Sequence, residues 1–283
     1  MSDYSTIRYE QDGRVARLVL NRPRYRNAQS RRLLEELDAG FRQAAEDDDV
    51  GVIVLMGEGD HFSAGHDLGT PDEQADRQAR PYAEGVRGRF KRSWDLYIDY
   101  GLRWRQIPKP TIAAVQGYCI YGGWMIAAAC DVVFAADDAL FLPANFQYFS
   151  VPYDMNPRKA KAILFESRFV DAAEAEQLGF VERVVPRARL LDEVMEYARR
   201  VAENDPFYLR MVKLAINQAD DERGFSQHIV GAHAHYLLSI AAESDPGYAL
   251  KRPEGRRLPG VQVALDNFQR RKASRRARAG AEE

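Results

Sequence analysis

The sequence predicts an α/β protein, and three observations carry the prediction. Continuous apolar runs of strand length recur at residues 50–56, 111–115 and 131–135, each ahead of a helix-compatible stretch. Between the first hairpin-like segment and these runs, Leu33, Leu34, Leu37 and Phe41 repeat at the period of an amphipathic helix. No Gly-x-Gly-x-x-Gly loop accompanies the strands. Repeated β-then-α units without it point to a stacked or doubly wound core rather than a dinucleotide fold.

The elements follow in order from local chemistry. Residues 7–10 and 15–20 flank an Asp12-Gly13 turn and read as a hairpin. Asn21-Arg22-Pro23 breaks the second strand, Ser30 caps the amphipathic helix, and Asp47-Asp48-Asp49 ends it in solvent. Gly57-Glu58-Gly59 bounds the first buried strand. The stretch between Asp67 and Pro108 is rich in charge and aromatics. Its Phe90, Trp94 and Tyr97 share one helical face, which predicts a helix packing aromatics on the core. From Pro157 the chain reads as mostly helical, at 160–165, 172–178, 190–203 and 206–218, with Gly179-Phe180-Val181 a short extended piece. This pattern divides an α/β core, residues 1–205, from a helical segment, residues 206–283. The basic run at 270–278 reads as a solvated tail.

Composition narrows the function. A net charge of −2 and a pI near 6.3 provide no global field to recruit nucleic acid or a membrane surface. Hydrophobic residues make up 46% of the chain, enough for a core without staples. Met1-Ser2-Asp3-Tyr4 lacks a basic and apolar leader pattern, and no apolar run reaches bilayer length, so a cytoplasmic location is expected. Cys119 and Cys130 lie in apolar surroundings without zinc-type spacing and read as small hydrophobes. His233 and His235 fall on different faces of a helical stretch, which argues against a shared metal ion. No metal site is expected.

Two segments carry the chemistry: His61-Phe62-Ser63-Ala64-Gly65-His66-Asp67-Leu68 and Gln116-Gly117-Tyr118-Cys119-Ile120-Tyr121-Gly122-Gly123-Trp124. Each sets a small residue or glycine where an apolar strand gives way to a turn, so that a backbone N–H can reach a ligand oxygen unobstructed. Further landmarks are Leu20-Asn21-Arg22-Pro23 with Asn27-Ala28, Pro108-Lys109-Pro110, Cys130-Asp131, and Ala172-Ala173-Glu174-Ala175 before Gly179-Phe180-Val181. In this order the chain resembles the crotonase (enoyl-CoA hydratase/isomerase) superfamily. The resemblance implies a crotonase-like stacked ββα core with a C-terminal helical trimerisation segment, a homotrimer or dimer of trimers, and an acyl-CoA substrate. It implies no permanently bound cofactor; coenzyme A enters as part of the substrate.

Carried over residue by residue, the resemblance places the oxyanion N–H donors on His66 and Gly122, and the CoA contacts on Arg24, Arg26, Ala64 and His66. The two positions that hold glutamates in the family's hydratases are here Met125 and Asn145. Neither exchanges a proton, so ordinary two-glutamate hydration is not expected. Other family members use a single carboxylate slightly further on, which makes Asp154 the first candidate acid, base or nucleophile. Its position also fits a cap for the helix near Pro157. Tyr121, Tyr153, His66 and Asn145 are the accompanying candidates, through phenol, imidazole or carboxamide hydrogen bonds. The expected activity is lyase or isomerase chemistry on a thioester enolate. Reverse-Claisen hydrolysis of a β-dicarbonyl compound and non-catalytic CoA binding are the alternatives.

Overall fold

The structure, a computed structural model, describes residues 4–143, 145–242 and 260–279. The chain opens with the hairpin of β1 (Ile7–Asp12) and β2 (Val15–Leu20), turned through Gly13 at φ +57°. A 3-10 turn at Pro23–Tyr25 leads to α1 (Arg31–Glu46), whose first turn is capped by Ser30 Oγ accepting from the Leu33 amide at 3.2 Å. Next come β3 (Val52–Gly57), α2 (Pro71–Ala79) and α3 (Gly85–Ser93). A π-helical segment, Trp94–Asp99, runs into α4 (Tyr100–Arg105). The middle of the chain holds β4 (Thr111–Val115), β5 (Tyr118–Ile120), α5 (Gly122–Ala128), β6 (Val132–Ala136) and β7 (Leu140–Leu142). The remainder is α6 (Val151–Asp154), α7 (Pro157–Glu166), β8 (Val170–Asp171), α8 (Ala172–Leu178), β9 (Arg183–Val185), α9 (Leu190–Ala202), α10 (Pro206–Glu222), α11 (Phe225–Ala242) and α12 (Gly260–Ala279).

Two sheets result, a six-stranded one in the order β1-β2-β3-β4-β6-β9 and a three-stranded one in the order β5-β7-β8. The alternation of side chains along the central strands explains the layering. Ile53, Leu55, Ala113 and Val115 point into the main core with α1, while Val52, Val54, Ile112 and Ala114 meet Val194, Ala198 and Ala202 of α9. Both faces are buried, which is why these strands read as unbroken apolar runs.

The expected α/β class is observed, in its stacked form. The expectation that each strand precedes a helix needs correction. After β4 the chain turns at Gly117, φ +54°, and enters β5 of the second sheet before any helix begins. A side chain at 117 would strike the Asp60 carbonyl, so glycine is required at that turn. The repeating unit is therefore ββα.

The aromatic face expected at residues 90–97 is also divided. The π-helical segment shifts the register, so Tyr97 is buried in the core while Phe90 and Trp94 pack against His233 of α11. His233 accepts or donates at Ser93 Oγ (2.6 Å) and His235 lies near Phe146, two separate surroundings as the helical spacing required. The basic run expected as a tail falls in the last turns of α12. Arg271 there pairs with Glu166 at 3.0 Å, and Ala264 and Phe268 seat the helix on Ile120, Leu142 and Phe169. The side chains at 275, 276, 278 and 279, and residues 280–283, lie outside the described residues. Among the described residues no helix is long and apolar enough to cross a membrane.

Candidate functional site

The site is assembled from three short segments that share hydrogen bonds. In the first, residues 21–30, Arg26 and Asn27 adopt left-handed backbone angles, φ 51° and 53°. The Asn27 carboxamide holds this turn closed: Oδ1 accepts from the Arg22 amide at 2.9 Å, and Nδ2 donates to the Glu58 and His61 carbonyls at 3.0 and 2.8 Å. The buried Arg22 guanidinium then donates to Asp67 Oδ2 at 2.8 Å and to Thr70 Oγ1 at 2.9 Å, tying the first segment to the loop that contains His66.

The second and third segments pair directly. The amides of Phe62 and Ser63 donate to the carbonyls of Gln116 and Tyr118 at 2.8 and 2.9 Å, and the Ile120 amide donates back to Ser63 at 3.0 Å. This short parallel pairing brings Gly65 and Gly122 into contact. A Cβ on Gly65 would lie 2.6 Å from the Ile120 carbonyl oxygen and 3.3 Å from the Gly122 nitrogen. The Gly65 and Asp67 amides are committed to Ser63 Oγ and the Gln29 carbonyl, at 3.2 and 3.0 Å. The His66 amide between them has no protein acceptor among the described residues. Gly122 opens α5, where a first-turn amide also lacks an intrahelical acceptor. Tyr121 makes the bend before it, at φ 45° and ψ −97°.

The His66 imidazole lies over Gly122: a Cβ there would approach Nδ1 to 2.7 Å and Cε1 to 2.8 Å. Nε2 is 3.1 Å from Gln147 Oε1, and the ring stacks on Tyr97 with centroids 3.8 Å apart. Burial pushes the imidazole down to about 4, with the Arg92 charge adding to the effect and the Gln147 hydrogen bond opposing it. The ring is neutral at neutral pH. With Gln147 Oε1 as acceptor, Nε2 carries the proton and Nδ1 presents a lone pair. Nδ1 and Gln147 Nε2 are both buried without a hydrogen-bond partner. Met125 is buried nearby, in a wall with Gln29, Leu96, Tyr97, Trp104 and Ile126 that leaves a gap of about 10 Å³. That volume is smaller than an acyl group, so these residues form a packed wall.

Asp154 lies in other surroundings. Its Oδ2 accepts from Trp124 Nε1 at 2.9 Å and from Ser150 Oγ at 2.6 Å, and the residue lines a cavity of about 500 Å³ with Tyr153, Cys130, Lys213 and Asp220. Burial raises its carboxyl to about 6, against the lowering effect of the Ser150 and Trp124 bonds. The helix cap near Pro157 is made by Asn156, whose Oδ1 accepts from the Arg158 amide at 2.9 Å. None of the residues around the His66 ring lines this cavity. Tyr153 donates to the Arg223 carbonyl at 3.1 Å. The Tyr121 phenol packs with Ile120, Leu142 and α12, close to Gly260. Asn145 is exposed, its carbonyl accepting from the Gln147 amide.

Of the residues read as CoA contacts, Arg24 and Arg26 are exposed. Ala64 is linked to Arg26 by an amide-to-carbonyl bond of 2.8 Å. The structure thus groups His66, Gly122, Ala64 and Arg26, and sets Asp154 with Tyr153 apart from them. Sequence reasoning missed Gln147, Tyr97 as the partner of His66, and the Arg22 to Asp67 pair. The one available signal for Gln147 was a lone carboxamide within the aromatic run Phe146-Gln147-Tyr148-Phe149.

Comparison with known proteins identifies the family. The profile of the enoyl-CoA hydratase/isomerase family matches residues 10–245. A Mycobacterium tuberculosis protein named as an enoyl-CoA hydratase, EchA13, is 36% identical over 260 residues, covering 84% of this chain and 82% of the relative. Among solved structures, one named as an enoyl-CoA hydratase from Mycobacterium smegmatis superposes with a TM-score of 0.77 at 40% identity. It spans 84% of this chain and 97% of that one. Another, from Mycobacterium thermoresistibile, gives 0.77 at 42% identity over the same shares of each chain. With two stacked sheets, a pair of amide-bearing turns knit together between them, and a family match that runs through both turns, the chain belongs to the enoyl-CoA hydratase/isomerase family.

Proposed function

We propose that the protein generates and stabilises the enolate of an acyl-CoA thioester between the amides of His66 and Gly122, by a route that does not use the hydratase pair of glutamates. The observation that carries this reading is the hydrogen-bonded pairing of residues 62–63 with 116–120, which sets the two turns side by side. When the α C–H bond breaks, its electron pair moves onto the thioester oxygen, and each well-aimed donor is worth about 3 kcal/mol to that charge. Met125 is a buried thioether and Asn145 an exposed carboxamide. Neither takes up the α proton. Two side chains are equipped to do so: the neutral His66 imidazole inside the cleft, and Asp154 across the Trp124 side chain.

Arg24 and Arg26 would meet the CoA phosphates at the rim, with Ala64 and His66 offering backbone contacts further in. In this proposal residues 1–205 form the catalytic core and 206–283 an oligomerising helical segment, in a cytoplasmic homotrimer or dimer of trimers. The exposed Phe207, Tyr208 and Ile216 on α10 support that assembly. The enolate is shared by double-bond isomerisation, hydration and reverse-Claisen cleavage.

The test is isotope exchange. Incubation with a panel of acyl-CoAs in D₂O should exchange the α protons, followed by mass spectrometry, in the wild type and in Asp154→Asn and His66→Ala variants. Loss in one variant alone identifies the proton carrier. Tight binding of acyl-CoAs with no exchange in the wild type would refute enolate chemistry and leave a non-catalytic CoA binder, the reading favoured by Met125 and Asn145.

A further inference from the structure

One rung between the two turns is made by a side chain. The bridge of Ser63 with Cys119 has the parallel pattern: the Ser63 amide donates to the Tyr118 carbonyl at 2.9 Å, and the Ile120 amide donates to the Ser63 carbonyl at 3.0 Å. The next rung of that pattern would run from the Tyr118 amide to the His61 carbonyl. That carbonyl is turned instead to Asn27 Nδ2, at 2.8 Å. The Tyr118 amide donates to Nδ1 of the His61 imidazole at 3.2 Å. A titratable ring thus stands in for a main-chain acceptor, at the point where the chain leaves the first sheet for the second.

The surroundings hold the ring in this place. It stacks on the Tyr118 ring with centroids 4.6 Å apart and 22° between the planes. Gly117, at φ +54°, permits the approach, since a Cβ there would lie 2.4 Å from Nδ1. On the other side of β5 the Gly117 carbonyl and the Tyr121 amide bond to Leu140 and Leu142 of β7, each at 2.8 Å. Alternation along the strand therefore leaves the Tyr118 amide to the His61 side.

A nitrogen that accepts from an amide is unprotonated, so Nδ1 carries a lone pair and Nε2 the proton. Charging the ring would set N–H against N–H. The charged groups around it are Arg26 from the left-handed turn, Asp60 beside it in the loop, Arg187 in the turn ahead of α9, and Asp138 between β6 and β7. Burial and the two arginines hold the imidazole below its ordinary 6.5, against the opposing pull of the two carboxylates. The rung's contribution is accordingly present above 6.5 and lost as the pH falls through the lower native value.

We infer that His61 is a positioning residue: its imidazole fixes the entry to the second turn and so aims the Gly122 amide, which one short strand and the Tyr121 bend separate from this rung. The inference rests on the reading of His66 and Gly122 as the thioester-binding amides. Opening the rung leaves the main-chain bonds of residues 62, 63 and 120 in place and frees the start of β5 to shift.

The experiment follows the Tyr118 amide by NMR hydrogen exchange in the full chain labelled with ¹⁵N-tyrosine, assigned by the signal missing in Tyr118→Phe and corrected for the intrinsic rate at each pH. His61→Phe keeps a ring against Tyr118 but offers no acceptor, and should lower the protection of this amide about tenfold. His61→Asn, whose Oδ1 accepts without titrating in this range, should restore it. Unchanged protection in His61→Phe overturns the inference. In the wild type the same loss should appear on acidification, at the midpoint where the His61 ring becomes charged, read from its ¹³Cε1 shift. Protection lost with the ring neutral, or kept with the ring charged, overturns the inference without recourse to any variant.

Exchange of α protons from acyl-CoAs in D₂O, on the same samples, reads the consequence for the site. His61→Phe should slow it about tenfold, and His61→Asn should recover it. A rate unchanged in His61→Phe while the amide is unprotected overturns the positioning role, as does a rate that stays low in His61→Asn with the amide protected. A wild type that exchanges no α proton from any acyl-CoA overturns the reading of the cleft, and the amide measurement then decides the rung by itself.

Discussion

Replacing Asp67 by asparagine tests the frame that holds the His66 amide in place. Asp67 directly follows His66, and its side chain is 0% exposed, against 5% for its partner Arg22. Oδ1 accepts from the Gly69 and Thr70 amides at 3.0 and 2.8 Å. Oδ2 accepts from Thr70 Oγ1 at 2.6 Å and from Arg22 at 2.8 Å. Asparagine has the same shape, and its oxygen retains the two amide bonds. Its NH₂ then faces the Arg22 guanidinium, donor against donor. The nearest remaining carboxylate is Asp72 at 3.6 Å, itself 73% exposed and so of small help.

Removing one member of a buried ion pair costs about 3–5 kcal/mol, and the retained amide bonds argue for the lower end, about 3 kcal/mol. Urea unfolding gives the loss directly. An Arg22→Met, Asp67→Asn double variant should lose less than Asp67→Asn alone, because it removes the stranded charge. Burial alone would raise the Asp67 carboxyl, but hydrogen bonds from Thr70, Arg22 and Gly69 outweigh it and hold the group below the ordinary 3.8. Its stabilising contribution is therefore present above 3.8 and lost as the pH falls through the lower native value, so the gap to the variant should close in acid. Exchange of α protons should also fall about a hundredfold, as expected for a displacement of about 1 Å in the donor. A loss below about 1 kcal/mol at neutral pH, or a gap that persists in acid, would refute the argument.

Four other predictions follow from single features. Gly122→Ala places a Cβ within 2.7 Å of His66 Nδ1, and closer still to Gln29 Oε1. It should cost about 1–3 kcal/mol by overpacking and about a hundredfold in exchange rate, measured on the same samples. Asp154, raised to about 6, stabilises the fold most below 3.8 and loses that contribution as the pH rises through 6. Asp154→Asn should therefore gain on the wild type across that window in urea midpoints, and a constant offset would contradict it. Phe268→Ala should detach α12 by about 3 kcal/mol, seen as faster hydrogen exchange there with the sheet amides unchanged. Arg271→Ala, removing a pair 32% and 44% exposed, should cost under about 1 kcal/mol in the same assay.

Elements decided by local chemistry were legible in the sequence. The Asp12-Gly13 turn, the Ser30 cap and the apolar runs of β3, β4 and β6 each state their structure within a few residues. What was not legible depended on partners far along the chain. Nothing near residue 117 says that the next three residues join a different sheet, because that is settled by the approach of the Asp60 carbonyl and the His61 imidazole. The π-helical turn is likewise hidden, since Phe90, Trp94 and Tyr97 fit an ordinary helical face and only packing on α11 and His66 separates them. The two glycine-bearing turns were readable as turns because glycine itself carries the signal. Gln147 meets His66 across 81 positions of sequence, and no spacing rule reaches that far.

The stitching of residues 62–63 to 116–120 has a consequence for how such a chain can diversify. The two turns are joined by main-chain bonds, which substitutions at side chains outside the Arg22–Asp67 frame leave in place. The pair of turns is in this sense inherited whole. The surface facing it includes Tyr97 and Gln147, held by side-chain contacts such as the stack of Tyr97 on His66 and the 3.1 Å approach of Gln147 Oε1 to the ring. Those contacts can be exchanged one at a time without disturbing the ladder. In this architecture the spacing of the two turns belongs to the main chain, and the surfaces beside it belong to a replaceable lining.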